Sequence, residues 1–337
     1  MTAGQAVLID RVTLVVSNLD RAEGDYVATF GCRVERRADV EPALTRVLCV
    51  PPARGRRSLL RLGREQIELL EFTDSAGRPY PPGSTSTDLW FQHVAIVVND
   101  MTLAYQRIMA NRRFRPISRN GPVRLPENSG GVTAFKFRDH DGHPLELLAF
   151  PDGRGPGEWR DTAGAGPFLG IDHTAIGVSD SARSTTFFRS VFGFSAGTRT
   201  ENRGPEQADL DDVNDVRVSV TQLARDLPAP RMELLQYHVG TRRPIPGDTA
   251  SNDIAATHSA VRVVSLDAIA AALARYGTPL TDDAFMILYG GMRAALVTGP
   301  DRHRFLAEEL ATAATCAAPD PRQTRERGSQ TSARRSA

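Results

Sequence analysis

Short apolar runs rich in β-branched residues alternate with amphipathic stretches along the first 310 residues, and the alternation occurs four times. The runs are Arg11-Val-Thr-Leu-Val-Val, His93-Val-Ala-Ile-Val-Val, His173-Thr-Ala-Ile-Gly-Val and His258-Ser-Ala-Val-Arg-Val. Each has strand length and a composition suited to a pleated surface. An amphipathic stretch follows each run, at residues 19–30, 100–111, 181–192 and 266–277. Asn18, Asn99, Asp180 and Ser265 precede these stretches, where a side-chain oxygen can accept the free N–H groups of a first helical turn; Gly31, Gly193 and Gly277 stand where helices commonly stop. Further short strands are expected after each helix, the last being QIELLEF (66–72), PLELLAF (144–150), MELLQYH (232–238) and the less regular RFLAEEL (304–310). A βαβββ module repeated four times therefore accounts for these residues, and the fold class is α+β.

The halves repeat each other as well. Pro/Gly-containing bridges, FTDSAGRPYPPGSTSTDLWFQ and YHVGTRRPIPGDTASNDIAAT, follow the first and third modules and read as loops between modules. The expected organisation is an N-terminal arm (1–6), an N-terminal domain (7–150, modules 7–73 and 89–150), a linker (151–168), a C-terminal domain (169–310, modules 169–238 and 254–310) and a disordered polar tail (311–337).

Composition narrows the function classes. With 41 basic and 40 acidic residues the formal net charge is +1, so no single-sign field points to nucleic acid or a membrane surface. There is one lysine, Lys136, against forty arginines, a bias that reads as base composition of the coding sequence and carries no functional meaning at this level. Cys32, Cys49 and Cys316 are odd in number and widely spaced, indicating neither a disulfide framework nor a thiolate zinc site. An acidic residue interrupts the N-terminal stretch where a signal peptide needs an apolar core, and no run approaches the ~18 apolar residues of a membrane span. A cytoplasmic protein is the expectation.

The repeat also aligns chemistry. Strand alternation sends every second side chain to one face, so His93, His173 and His258 share the face of Ala95, Ala175 and Ala260 near their strand starts. Glu68, Glu146 and Glu233 share one register in the closing strands, within otherwise apolar runs. A buried carboxylate is costly unless a cation, an arginine or a hydrogen-bond network compensates it, and here the arrangement recurs three times.

On these histidines and glutamates, and on the turns FRDHDGHPLELL and VTGPDRHRFL before the last strands, the sequence resembles the vicinal oxygen chelate superfamily. That group includes glyoxalase I, methylmalonyl-CoA epimerase, fosfomycin-resistance enzymes, extradiol dioxygenases and bleomycin-sequestering proteins. The resemblance spans roughly residues 7 to 310 and implies that paired modules form cupped sheets holding a metal on ligands from first and last strands. Applied to the C-terminal pair, it implies His173, His258 and Glu233 as ligands. The fourth family position is occupied by Leu306; Glu308, two residues on and on the same face, is the alternative carboxylate. In the N-terminal pair Arg11 replaces the first histidine, which implies a degenerate second site of Glu68, His93 and Glu146 held together by the guanidinium.

The implied cofactor is a divalent metal, Fe(II) ahead of Mn, Ni, Co or Zn, and the implied partner a small substrate, aromatic compounds included, with no nucleic acid and no membrane. The leading expectation is a dioxygenase-like enzyme, an oxidoreductase. The alternatives are a glyoxalase- or epimerase-like isomerase or lyase, and a metal-free small-molecule binding or antibiotic-resistance protein, in which the histidines are structural and Glu233 pairs with Arg262. Tyr237, His238 and Tyr289 lie near the closing strands as candidates for proton transfer, whereas His140, His143 and His303 fall in turns where a solvated side chain is the ordinary expectation. Either a monomer or a homodimer is compatible, since four modules can build both cups within one chain.

Overall fold

A computed structural model describes residues 5–160, 166–224, 226–239, 241–281, 284–288 and 291–310. Tyr289, Cys316 and the expected tail from 311 onward lie outside the described residues. The first module comprises β1 (Ala6–Val15), α1 (Leu19–Phe30), β2 (Arg33–Asp39), α2 (Pro42–Val47), β3 (Gly55–Leu62) and β4 (Glu65–Phe72). The second comprises β5 (Gln92–Val98), α3 (Met101–Ala110), β6 (Arg115–Pro116), β7 (Val123–Arg124), β8 (Thr133–Arg138) and β9 (Pro144–Ala149). In the third are β10 (Phe168–Gly177), α4 (Ser181–Phe192), β11 (Ala196–Arg203), α5 (Pro205–Asp211), β12 (Arg217–Leu223) and β13 (Arg231–Tyr237). The fourth holds β14 (His258–Val263), α6 (Leu266–Arg275), β15 (Met286–Leu288), β16 (Met292–Thr298) and β17 (Arg304–Glu309). Among the described residues no helix is long and apolar enough to cross a membrane.

The long helices start and stop on the chemistry the sequence offers. Asn18, Asp180 and Ser265 accept first-turn N–H groups as expected, and Gly31 and Gly193 close α1 and α4 at φ +74° and +70°, a left-handed conformation that costs a side-chain-free residue little. One cap differs: Asp100, not Asn99, accepts from the Leu103 N–H, because Asp100 is the residue left extended before the first turn. The short helices α2 and α5, each opened by a proline, occupy segments where only strands were expected.

The pairing of modules departs from the expectation that neighbours in sequence share a sheet. One sheet runs β15-β16-β17-β14-β1-β4-β3-β2 and joins modules one and four; the other runs β11-β12-β13-β10-β5-β9-β8-β6 and joins modules two and three. Every module sets its first strand parallel to its last and leaves the other edge of the first strand free, so β1 pairs antiparallel with β14 and β5 with β10. All four free edges carry the same pattern, so local sequence does not choose between partners; the usual adjacency of consecutive elements is a default that this chain does not follow.

Two apolar clusters between the sheets fix that choice. One gathers α1 and α3 residues such as Tyr26, Phe30, Ala104 and Ile108 with inner-face side chains of both sheets; the other gathers Phe187, Phe188, Phe192 and Ile269 from α4 and α6, again with both sheets. The long first strands stitch the clusters together: Ile9 of β1 packs with α4 and α6, and Phe168 of β10 lies edge-on to Phe30. Reciprocal ion pairs between the two bridges repeat the pseudo-twofold relation, Arg78 Nη2 with Asp253 Oδ2 at 2.7 Å and Arg243 Nη2 with Asp88 Oδ2 at 2.6 Å. The strand faces turned away from the helices line two cavities, of about 340 Å³ in the sheet of modules two and three and about 330 Å³ in the sheet of modules one and four.

Candidate metal centre

Alternation along β5 places Val94, Ile96 and Val98 against the helices and His93 on the cavity face. In β9, Leu145 and Leu147 face the helices while Glu146 and Leu148 face the cavity. Register then assembles the site. Ala95 stands opposite Glu146 within module two and opposite His173 across the module junction, while Ala175 stands opposite both His93 and Glu233. His93 and His173 are thus diagonal neighbours, with ring centroids 5.7 Å apart, and each has a glutamate of its own module beside it.

Ligand atoms of His93, Glu146 and His173 lie within 4.8 Å of one another, and all three residues are buried. His93 Nε2 approaches Glu146 Oε2 to 2.8 Å, and His173 Nε2 lies 3.5 Å from Glu233 Oε2. The first approach is off the hydrogen-bonding line: both ring nitrogens of His93 are buried without a hydrogen-bond partner. Nδ1 thus has no partner and Nε2 has only the Glu146 carboxylate beside it; two imidazoles and a carboxylate converging in a buried site are the donor types a metal takes, so the residues fit a cation. His173 is oriented from behind. Its Nδ1 contacts Asp172 Oδ2 at 2.9 Å, and Asp172 also accepts from Trp159 Nε1 at 2.8 Å, which leaves Nε2 directed at the cluster.

The electrostatics follow from this packing. Burial lowers the His93 pKa, with Glu146 opposing. Burial also pulls on His173, but the Glu233 and Asp172 carboxylates prevail and raise it to about 9. For Glu146 burial is again the first influence, overcome by His93 and Lys136, so that its pKa falls to about 2. Glu233 is pushed upward by burial against the attraction of His173. Two imidazoles and two carboxylates from two modules thus converge in one cavity.

The ligand set expected from sequence is corrected by the topology. His173 and Glu233 belong to this cavity, but His258 is carried by β14 in the other sheet, and with it goes Glu308. The residues assigned to a degenerate site divide in the same way: His93 and Glu146 join His173, while Glu68 and Arg11 face His258. Arg11 pairs with Glu68 (Nε to Oε2, 3.3 Å) and with Glu308 (Nη2 to Oε1, 2.7 Å), not with Glu146. Arg262 pairs with Asp10 and Glu308 and is no partner of Glu233.

Of the proton-transfer candidates, Tyr237 lines the cavity and donates to Asp211 Oδ2 at 3.0 Å. His238 turns away and meets Ser219 Oγ at 2.8 Å. His143 and His303 are buried, not solvated: His143 bridges Asp139 Oδ2 and the Ile254 carbonyl, and His303 contacts the Gly177 carbonyl at 2.7 Å. His143 ties its turn to the C-terminal half of the chain, and His303 ties its turn to β10. His140 is exposed as expected. Lys136, to which the sequence assigns no role, is buried in the cavity wall; its place between Phe135 and Phe137, which face the helices, was the available signal.

The family model described as Glyoxalase/Bleomycin resistance protein/Dioxygenase superfamily matches residues 8–147 and 170–306. Among solved structures, a point mutant of glyoxalase I from Zea mays is similar at TM-score 0.61 and 18% identity, over 90% of this chain and 92% of that one. Glyoxalase I from Zea mays without that mutation matches at TM-score 0.59 and 15% identity (90% and 92% covered), and a putative dioxygenase from Bacillus subtilis subsp. subtilis str. 168 at TM-score 0.50 and 12% identity (90% and 86% covered). No curated protein matches the chain by sequence.

Proposed function

The chain belongs to the glyoxalase, bleomycin resistance protein and dioxygenase superfamily, and from that premise we propose that the cavity of modules two and three is a divalent-metal site for proton-transfer chemistry on a small chelating substrate. His93, Glu146 and His173 would hold the metal, with Glu233 beside them. The observation that carries this reading is the four-donor set, two imidazoles and two carboxylates, in which Glu233 stands 3.5 Å from His173 and is less enclosed than Glu146. When bound, a divalent ion of borderline softness, Fe(II), Co, Ni or Zn, would polarise two neighbouring oxygens of the substrate as a Lewis acid.

The protein's own groups supply the rest. Glu146, with its depressed pKa, stays ionised as a ligand, whereas Glu233, with its raised pKa, is suited to take a proton from carbon at Oε2 and return it. Asp172 fixes the His173 ring, and Leu148, Val218 and Leu235 make the apolar part of the wall that limits water. This is isomerase, epimerase or lyase chemistry.

A second reading, the dioxygenase-like one, is supported by the tight group itself, since His93, His173 and Glu146 are two imidazoles and one carboxylate with room for further ligands. Oxygen separates the two. Metal-loaded protein incubated in deuterium oxide under argon with a panel of 2-oxo and 2-hydroxy compounds is expected to exchange deuterium beside the carbonyl, read by mass spectrometry. Turnover that occurs only with dioxygen consumption, for example on catechols, would replace the proton-transfer reading by the second.

A further inference from the structure

The only lysine of a chain with forty arginines lies inside the candidate metal cavity. Lys136 sits on β8 opposite Glu146 of β9, and its ammonium reaches Asp211 Oδ1 at 2.6 Å. Asp211 is fully engaged, since its other oxygen accepts from Tyr237 Oη at 3.0 Å and from Gln207 Nε2 at 2.7 Å. An ammonium has three donors, so two N–H groups of Lys136 remain beyond Asp211, in a side chain that lines the cavity. The equivalent pair in the other sheet is Leu296 opposite Leu306, so the ammonium accompanies the complete donor set and is absent from the incomplete one.

Arginine serves at every other basic position of the chain. A planar guanidinium carries its charge over a wide fork, whereas an ammonium is a compact point charge on a flexible stem that fits a narrow place in a cavity wall. Burial opposes the Lys136 charge, but Asp211 and Glu146 more than restore it. With Asp211 already holding three donors, the spare N–H groups are hydrogen-bonded to no carboxylate among the described residues; the Phe91 ring, its centroid 5.9 Å from Nζ, can face one of them, and the other is open to a ligand atom or water.

We infer that Lys136 binds the anionic end of the substrate and selects small carboxylic acids that carry a second oxygen donor, such as 2-oxo and 2-hydroxy acids. The inference rests on the chelate reading above for the substrate's second contact. A cavity of about 340 Å³ has room for such an acid together with a further substituent. Asp211, Tyr237 and Gln207 are positioning residues that hold the ammonium in place, and Tyr237 thereby acquires a role one step removed from the proton transfer expected of it.

Pyruvate and pyruvamide are the probes, nearly equal in shape and different in charge. Selective labelling of lysine Nζ with ¹⁵N gives a single resonance, which pyruvate is expected to shift and pyruvamide to leave in place. By calorimetry on the Zn(II)-loaded full chain, Lys136→Met should weaken pyruvate at least about tenfold and pyruvamide less than about threefold. Lys136→Met combined with Asp211→Asn repeats the test without a buried unpaired carboxylate. An unmoved resonance, or equal weakening of both probes, overturns the inference. If the wild-type chain retains no metal the chelate reading falls, and the response of the Nζ resonance to pyruvate in the metal-free protein then decides the lysine's role alone.

Discussion

The two cavities are built from the same four strand positions and have been filled in opposite ways. In the sheet of modules two and three those positions carry His93, Glu146, His173 and Glu233; in the sheet of modules one and four they carry His258, Leu306, Arg11 and Glu68. Two differences, arginine in place of histidine and leucine in place of glutamate, separate a cluster of two imidazoles and two carboxylates from a network in which the Arg11 guanidinium bridges Glu68 and Glu308. The charge pattern is nevertheless shared. His173, its pKa raised to about 9, is a cation when no metal is present, and Arg11 is the permanent cation at the same place; His93 and His258, equivalent to each other, are both held neutral by burial, His258 at about 4. Arg11 thus supplies structurally the positive charge that a proton on His173, or the proposed metal, would supply on the other side.

Loss of Arg11 should disturb this balance most severely. Arg11→Met would leave Glu68 and Glu308 buried without their central partner, and chemical denaturation should show a loss of about 3–5 kcal/mol while the metal content of the other cavity stays unchanged. Converting one cavity into the other asks more of the parallel. Arg11→His with Leu306→Glu restores the donor set and should raise bound metal from one to two per chain; a stoichiometry that stays at one would show that the four positions alone do not make a site.

Smaller effects follow from the shell around the ligands. Asp172→Asn should weaken metal binding about 10–100-fold, measured by competition with a chromogenic chelator, through misorientation of His173 with the fold intact. The pH dependence carries opposite signs for the groups concerned. Glu146, lowered to about 2, contributes stability above the ordinary carboxylate range that is lost as pH falls toward 2. His173, raised to about 9, contributes stability below 6.5 that is lost as pH rises through 9. His258, lowered to about 4, costs stability as pH falls from 6.5 toward 4. Metal uptake at pH 7 should therefore release about one proton, from His173, seen as a buffer-dependent enthalpy in calorimetry.

Sequence carried the modules and their register further than their assembly. Alternation placed His93, His173, Glu146 and Glu233 on cavity faces correctly, because side-chain direction along a strand depends only on local backbone geometry. Which modules share a sheet depends on contacts such as Phe30 with Phe168, far apart in sequence and chosen by packing between the sheets. An error at that level moved His258 and Glu308 into the wrong cavity with every local assignment intact. Lys136 was hidden differently: it stands between two core phenylalanines, and its partner Asp211 comes from α5, a helix in a segment expected to hold only strands.

If one of two equivalent cavities binds metal, and it is the one shared by modules two and three, then His93 and not His258 controls metal content. Elemental analysis of the full chain after anaerobic loading and gel filtration decides this, comparing the wild type with His93→Ala and His258→Ala. One metal per chain, lost in His93→Ala and kept in His258→Ala, is the predicted result. Loss in His258→Ala with retention in His93→Ala would contradict it and return the site to the other sheet.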